Sequence, residues 1–217
     1  MVACGALPLD EAYKAVDLDT LTLLLGMMIL VANLSLSGFF VMAGGWVMRR
    51  AHRPLALLAA VTAIAEVFSA FLVNEAVCLV LGPLVTELTL TLRRNPVPYL
   101  LAVAMASNIG STATITGNPQ NMMIGSFSGI SYANFVAALA PMALFVLILT
   151  FVLIALLHRR EFAHDAQLTT PSTPIRFHRV LMWRALAGTA LVVALFFAGQ
   201  PPAKVAIIVG GLLLLTR

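Results

Sequence analysis

Charge is scarce in this chain, and over one long window it is missing. Between Asn95 and His158 there is no Asp, Glu, Lys or Arg. Across the 217 residues only 10% are charged against 61% hydrophobic, and the mean hydropathy is +0.99. Soluble domains run at about 25% charged and about 45–50% apolar. A water-soluble core cannot absorb such an excess, so a soluble class is excluded and an all-α integral membrane protein is expected. Cysteine is also scarce. Cys4 and Cys78 are too few and too poorly spaced for a disulfide framework or a zinc site. Cys78 lies in an apolar run and behaves as a small buried hydrophobe. Enzyme signatures are lacking: there is no HExxH, GxSxG or P-loop pattern and no carboxylate pair on a polar loop, so catalysis is not expected. The first twenty residues show no basic stretch leading into an apolar one, so no secretory leader is evident.

What charge there is falls at the ends of apolar runs. The formal net charge of +4 comes from clusters at 49–53, 93–94, 158–160 and 176–184. Such clusters set the orientation of membrane helices, which removes the argument for nucleic acid that a basic balance would otherwise carry. All four fit one face, the cytoplasmic one, with the acidic start (residues 8–19) outside.

The segments follow in order. One span is expected over 18–48, bent or broken near the middle by Asn33, Ser35, Ser37 and Gly38. Residues 54–92 have basic flanks at both ends, so they leave from and return to the same face. A re-entrant helical hairpin turning at Asn74-Glu75 fits, because the second arm, roughly 76–91, is short for a span at about 1.5 Å per residue. A pair of full spans also fits. A broken span is expected over 96–128 and a clean span over 131–157. A cytoplasmic loop covers 158–184, and two short spans cover 185–217.

Inside the uncharged window lies Ser107 to Asn121, SNIGSTATITGNPQN, with only Ile109, Ala113 and Ile115 apolar. A helix–helix packing face places small residues four apart among Leu and Val. Here nearly every position is polar for four turns, and an intact helix would turn some of them to lipid. Such a stretch suits a membrane helix that unwinds to hold a ligand. A second half-helix is expected from Pro119, with Asn118 as its cap. The dipeptides Asn95-Pro96 and Asn118-Pro119 sit on one segment, which excludes the two separate loops of a water channel. At the hairpin tip, capping explains Asn74, and the helix dipole explains Glu75. A carboxylate at the bilayer midplane must also be paired, hydrated or coordinating. Glu66, two turns earlier, is either a proton-coupling carboxylate or a protonated structural group. Glu87 sits at an interface.

The residues LGMMILVANLSLSGFF (25–40), VNEAVCLVLGPLV (73–85), RRNPVPYLLAVAMASNIGSTATITGNPQNMMIG (93–125) and HRREF (158–162) together resemble the ion transporter superfamily. The branch they resemble holds arsenite permeases, NhaD-type sodium/proton antiporters and citrate-transporter-like proteins. The resemblance covers about residues 8–217. It implies a permease of two inverted repeats, of which this chain is the first. Each repeat carries a re-entrant hairpin and an unwound helix that meet near the midplane. The family tip commonly has Asn-Asp where this chain has Asn74-Glu75.

On that basis Asn74, Glu75, Asn108, Ser111, Thr112, Thr114, Gly117, Asn118 and Asn121 are the expected half-site. Na⁺ would sit at Asn74, Asn108 and Gly117, with Glu66 a proton-coupling candidate. The expected function is secondary active transport of a small ion by alternating access, foremost as an arsenite- or carboxylate-type anion permease. Na⁺/H⁺ antiport and a truncated, non-transporting half-permease stay open. Expected partners are the small ion, the lipid bilayer and a second repeat or partner half; a homodimer is an open assembly and nucleic acid is not expected. No cofactor is expected beyond a coupling Na⁺ or H⁺. The expected location is the inner or plasma membrane, crossed several times.

Overall fold

The computed structural model describes residues 8–14, 16–50, 53–162 and 178–215. Among them there are helices and turns and no strand, as an apolar environment requires: only a helix satisfies its backbone groups within one segment. The helices are α1 Leu9–Lys14, α2 Leu18–Leu36, α3 Phe39–Arg50, α4 Pro54–Phe71, α5 Asn74–Thr91, α6 Pro96–Thr112, α7 Pro119–Ser128, α8 Tyr132–Leu157, α9 Arg159–Phe162, α10 Arg179–Phe197 and α11 Pro202–Leu215. Of these, α2, α4, α8 and α10 are long and apolar enough to cross a membrane. The protein is an all-α integral membrane protein.

The side chains of α8 show how the bundle meets lipid. Its buried residues Phe135, Ala143, Leu147, Thr150 and Ile154 recur at helical spacing on one face. Phe145, Ile148, Leu149, Leu153 and Leu156 face outward, where hydrocarbon is as favourable a neighbour as protein.

The interior divides into two apolar clusters. The first joins α3 to α6 with the end of α2, the later part of α8 and the start of α10, and includes Leu34, Leu57, Leu88, Tyr99, Ile154 and Ala185. The second joins the starts of α2 and α8 with α7, the end of α10 and α11, around Leu23, Met122, Tyr132, Phe196 and Ala206. The basic segments gather at the first cluster's end. Arg94 bridges Glu161 at 3.7 Å and also donates to its carbonyl. Tyr99 donates to the Pro54 carbonyl and stacks edge-on against Phe162. At the other end α2 crosses α11 closely: a Cβ on Gly26 would run into the Ala206 backbone, the use of small residues that membrane helix packing favours.

Several boundaries differ from the expected ones. The stretch 18–48 is two helices that part at Ser37–Gly38, where Gly38 has φ 80°. The second hairpin arm starts at Asn74 and runs 18 residues, as long as the first, because Asn74 and Glu75 join its first turn instead of forming a turn of their own. The arms lie together beside α3, and Val61 and Ile64 of α4 and Leu81 and Leu88 of α5 border one small gap with it. Most of the expected loop, 163–177, lies outside the described residues. Helix α10 begins at Arg179, six residues before the expected 185, since Trp183 and Arg184 extend its first turns.

The tip has a definite depth. Leu72 belongs to the first cluster and Val73 to the second. On the other chain segment Ile109 packs against the first cluster and Ile115 lies in the second. Both chain breaks therefore sit at the boundary between the two clusters, midway through the bundle.

Candidate functional site

Helix α6 begins with Asn95 capping the Val97 N–H and Pro96 at its first position. It continues further than its composition suggests, through Thr112. The hydroxyls of Ser111 and Thr112 bond back to the carbonyls of Asn108 and Ile109, at 2.8 and 2.7 Å. Ser107, fully buried, accepts from Ser69 on its carbonyl at 2.6 Å and donates to the Asn74 carbonyl at 3.2 Å. The polar stretch is therefore unwound only over 113–118, and 107–112 stays helical because its polar groups find partners inside the helix or on the hairpin.

The break itself follows from Gly117-Asn118-Pro119. Pro119 pushes the residue before it out of the helical region, and Asn118 is extended at φ −151°, ψ 159°. Its side chain caps α7 by accepting from the Asn121 N–H at 2.8 Å. The chain doubles back so tightly that a Cβ on Gly117 would overlap the Ser111 backbone. Only glycine fits that approach.

A helix leaves its last carbonyls without partners. Here the ends of α6 and of the loop are served by two side-chain amides. Asn121 Nδ2 reaches the carbonyls of Ser111, Thr112 and Thr114 at 3.1, 3.3 and 2.9 Å. Asn118 Nδ2 lies 3.3 Å from the Ser111 carbonyl and 3.2 Å from its hydroxyl. The carbonyls of Ser111, Thr112 and Thr114 are thus already met by side-chain amides, and Asn118 and Asn121 shape the loop.

The hairpin tip meets this loop through the gap between α4 and α5. Had α4 continued, the Asn74 N–H would have bonded the Ala70 carbonyl. Instead the Asn74 N–H donates to the Gly117 carbonyl at 2.9 Å, and the Ala70 carbonyl accepts from the Thr114 hydroxyl. The loop fills the break in the other helix pair. Asn74 Nδ2 also donates to Asn108 Oδ1 at 3.0 Å. Asn74 Oδ1 is buried and has no partner. Each such acceptor costs about 1–3 kcal/mol unless something else supplies a donor or a cation.

The structure brings Asn74, Asn108, Ser111, Thr114, Gly117, Asn118 and Asn121 into one hydrogen-bonded unit. Asn108 and Thr112 share the exposed face of α6, one turn apart, beside the half-buried Asn74. Glu75 is exposed in the first turn of α5. Glu66 touches α6 through its backbone, against Gly110, where a Cβ would not fit. Among the described residues no hydrogen bond joins either carboxylate to the unit, and no group of three His, Cys, Asp or Glu is placed to hold a metal ion. Ser69, Ser107, Thr116 and Tyr132 were missed as members. Ser107 and Thr116 lay in plain view in the polar stretch. Ser69 was one of a few hydroxyls on an apolar arm, and Tyr132 carried no signal at all.

The whole chain, residues 1–217, matches the family described as Citrate transporter. It is 34% identical over 153 residues to an uncharacterized transporter of Mycobacterium tuberculosis (strain ATCC 25618 / H37Rv), covering 68% of this chain and 36% of that protein. It is 34% identical over 141 residues to a silicon efflux transporter of Oryza sativa subsp. japonica, covering 65% and 29%. It is 33% identical over 186 residues to the P protein of Sus scrofa, covering 82% and 22%. The chain thus matches about a third or less of the length of each relative.

Proposed function

Because the chain belongs to the citrate transporter family, we propose that it supplies one half of the binding site in a secondary active transporter of a small anion. The observation that carries this is the meeting of two chain breaks midway through the bundle, where Asn74 at the hairpin tip reaches the exposed Asn108 of α6. Two helices start at that point, α5 and α7. The first N–H groups of a helix have no acceptor within it and carry the positive end of its dipole. Among the described residues the donors left open there are the Asn108 amide and the second N–H of each helix, those of Glu75 and Gln120, because the Asn74 N–H is bonded to Gly117, the Asn121 N–H to Asn118, and Pro119 has none. Donors favour an oxyanion of the arsenite or carboxylate kind. A relative named for silicon efflux adds silicic acid to the substrates worth testing.

Sodium coupling fits the remaining acceptors. Asn74 Oδ1, Asn108 Oδ1 and the Gly117 carbonyl meet at the tip, and an oxygen that already accepts one hydrogen bond keeps a second lone pair. In this reading Na⁺ and the anion share the junction. The hairpin returns to the face it left, and a second repeat closes the site and exchanges its exposure between the two faces. Proton antiport through Glu75 and Glu66 is the competing reading within transport.

The experiment is flux into proteoliposomes holding the full-length protein, with labelled arsenite, citrate, sulfate, silicic acid and Na⁺. Asn74→Ala and Asn108→Ala are expected to lower anion flux at least tenfold while membrane insertion is retained. Undiminished flux in both variants overturns the site. Flux of Na⁺ that persists without any anion, and loses its pH dependence in Glu75→Gln, favours antiport.

A further inference from the structure

A cavity of about 520 Å³ opens at the end of the bundle away from the basic segments. Its walls are the starts of α2 and α8, the α7 helix and the turn between α10 and α11. Its volume falls in the range of about 300–1,000 Å³ usual for small-molecule sites. None of the residues expected to form the site lines it. Ile115 of the unwound loop does, and so does Tyr132.

Tyr132 is buried, with its ring 5.4 Å from that of Phe196 and 5.0 Å from that of Phe197. Its hydroxyl lies 3.0 Å from the Thr116 hydroxyl, and Thr116 lies 3.4 Å from the Thr114 hydroxyl. The chain ends at the Ala70 carbonyl. That last member has no proton, so the direction of every bond follows: Thr114 donates to Ala70, Thr116 donates to Thr114, and Tyr132 donates to Thr116. All three protons point inward, toward the hairpin. The phenol is the only member of the chain anchored in a helix on the cavity side. Without its proton, the Thr116 hydroxyl loses the donor that faces it from α8.

We propose that Tyr132 is a positioning residue for the unwound loop, holding 113–118 against the hairpin and thereby closing the inner end of the cavity. Its aromatic partners fix the ring, and the ring delivers the hydroxyl to Thr116. The cavity is then the approach to the loop from the face opposite the basic segments. This goes beyond the transporter reading and does not depend on it.

The test uses the full-length protein, cleared of other cysteines, carrying Ile115→Cys. A membrane-impermeant methanethiosulfonate reagent is added on the cavity side. Labelling is expected to be slow, and Tyr132→Phe or Thr116→Val is expected to speed it about fivefold, the effect of one buried hydrogen bond. The double variant should label no faster than Thr116→Val alone, because that variant already removes the bond that Tyr132→Phe loses, and Thr116→Ser should restore the slow rate. Gln200→Cys, on the cavity wall, should label fast in every background. Thermal melting should fall by no more than the loss of a buried hydrogen bond explains, which separates positioning from general loosening. Rates unaffected by either variant, multiplying effects in the double variant, or labelling only from the basic side each overturn the proposal. If Ile115→Cys fails to reach the membrane, amide exchange across 113–118 is measured instead. It should quicken in Tyr132→Phe, and unchanged exchange overturns the proposal equally. Labelling and exchange need no transport, so a protein that moves none of the labelled probes leaves this result standing.

Discussion

Two breaks interrupt apolar helices in this protein, and they are built differently. Both contain glycine and hydroxyl residues, and both were visible in the sequence as polar spots. At Ser37–Gly38 the bonds close locally. Ser37 N–H donates to Asn33, the Ser37 hydroxyl to Leu34 and Gly38 N–H to Ser35, at 2.6–3.1 Å. Gly38 then opens α3 by accepting from Met42. One bond comes from afar, His178 N–H to the Ser37 carbonyl at 3.2 Å. At 113–118 the loop bonds outward as well, to Ala70, Asn74 and Tyr132, from α4, α5 and α8. The first break is a bend. The second is a junction on which three helices depend; a buried amide oxygen without a partner stands beside each break, Asn33 Oδ1 and Asn74 Oδ1, and so does not tell them apart. Polar composition alone does not separate a bend from a site; the destination of the hydrogen bonds does.

Alanine at the glycine of each break should separate the two most sharply. At Gly117 the added Cβ overlaps the Ser111 backbone, and the cost is expected to exceed about 3 kcal/mol, above the usual range for overpacking. Little folded protein should survive detergent extraction, and flux should vanish. At Gly38 the left-handed backbone costs about 1–2 kcal/mol, read as a modest fall in melting temperature with flux retained. Equal losses at the two glycines would erase the distinction.

A smaller effect is expected from Asn121→Ala. It strips the amide from three carbonyls and should cost about 1–3 kcal/mol, measured by thermal melting. It should also quicken amide exchange around 113–118 and leave exchange near Ser37 unchanged. Exchange that rises equally at both breaks would show that the junction is not an independent unit.

The smallest effect lies outside both breaks. Asp17 caps α2, accepting from the Thr20 hydroxyl and from the Asp19 N–H at 3.2 Å. The Thr20 bond is the main reason its carboxyl titrates below the ordinary carboxylate range. Its contribution is therefore complete above roughly pH 4, the usual carboxylate value, and fades as pH falls through the lowered value. Asp17→Ala should lower stability by about 0.5–1 kcal/mol at neutral pH, with the gap to the unaltered chain closing in acid. A gap that stays constant with pH would show that charge plays no part in the cap.

Much of the architecture was legible in the residues. Apolar runs with basic ends marked the helices of the bundle. Pro96, Pro54 and Pro119 marked helix starts, since proline lacks the N–H that a first turn leaves unused. Asn118 as a cap followed from the same logic. The extent of unwinding was less legible, because Ser, Thr and Asn are polar whether their groups turn back onto their own helix or outward. Ser111 and Thr112 turned back and stayed helical. The division at Ser37–Gly38 was expected only as a bend, and the early start of α10 was hidden by arginine at its first position.

The sequence by itself determined that this chain lies in a membrane as helices, which ends carry charge, and that one polar stretch breaks the longest uncharged window. Those properties depend on transfer from water and on local backbone chemistry, which neighbours along the chain decide. Only the tertiary structure decided that the Ala70 carbonyl and the Asn74 N–H, natural partners in one helix, would be separated and shared with Thr114 and Gly117. It alone placed Tyr132 over Thr116 and left Asn74 Oδ1 unpaired. Hydrogen bonds between residues far apart in the chain depend on how helices pack, and no local pattern encodes which carbonyl a distant hydroxyl will reach.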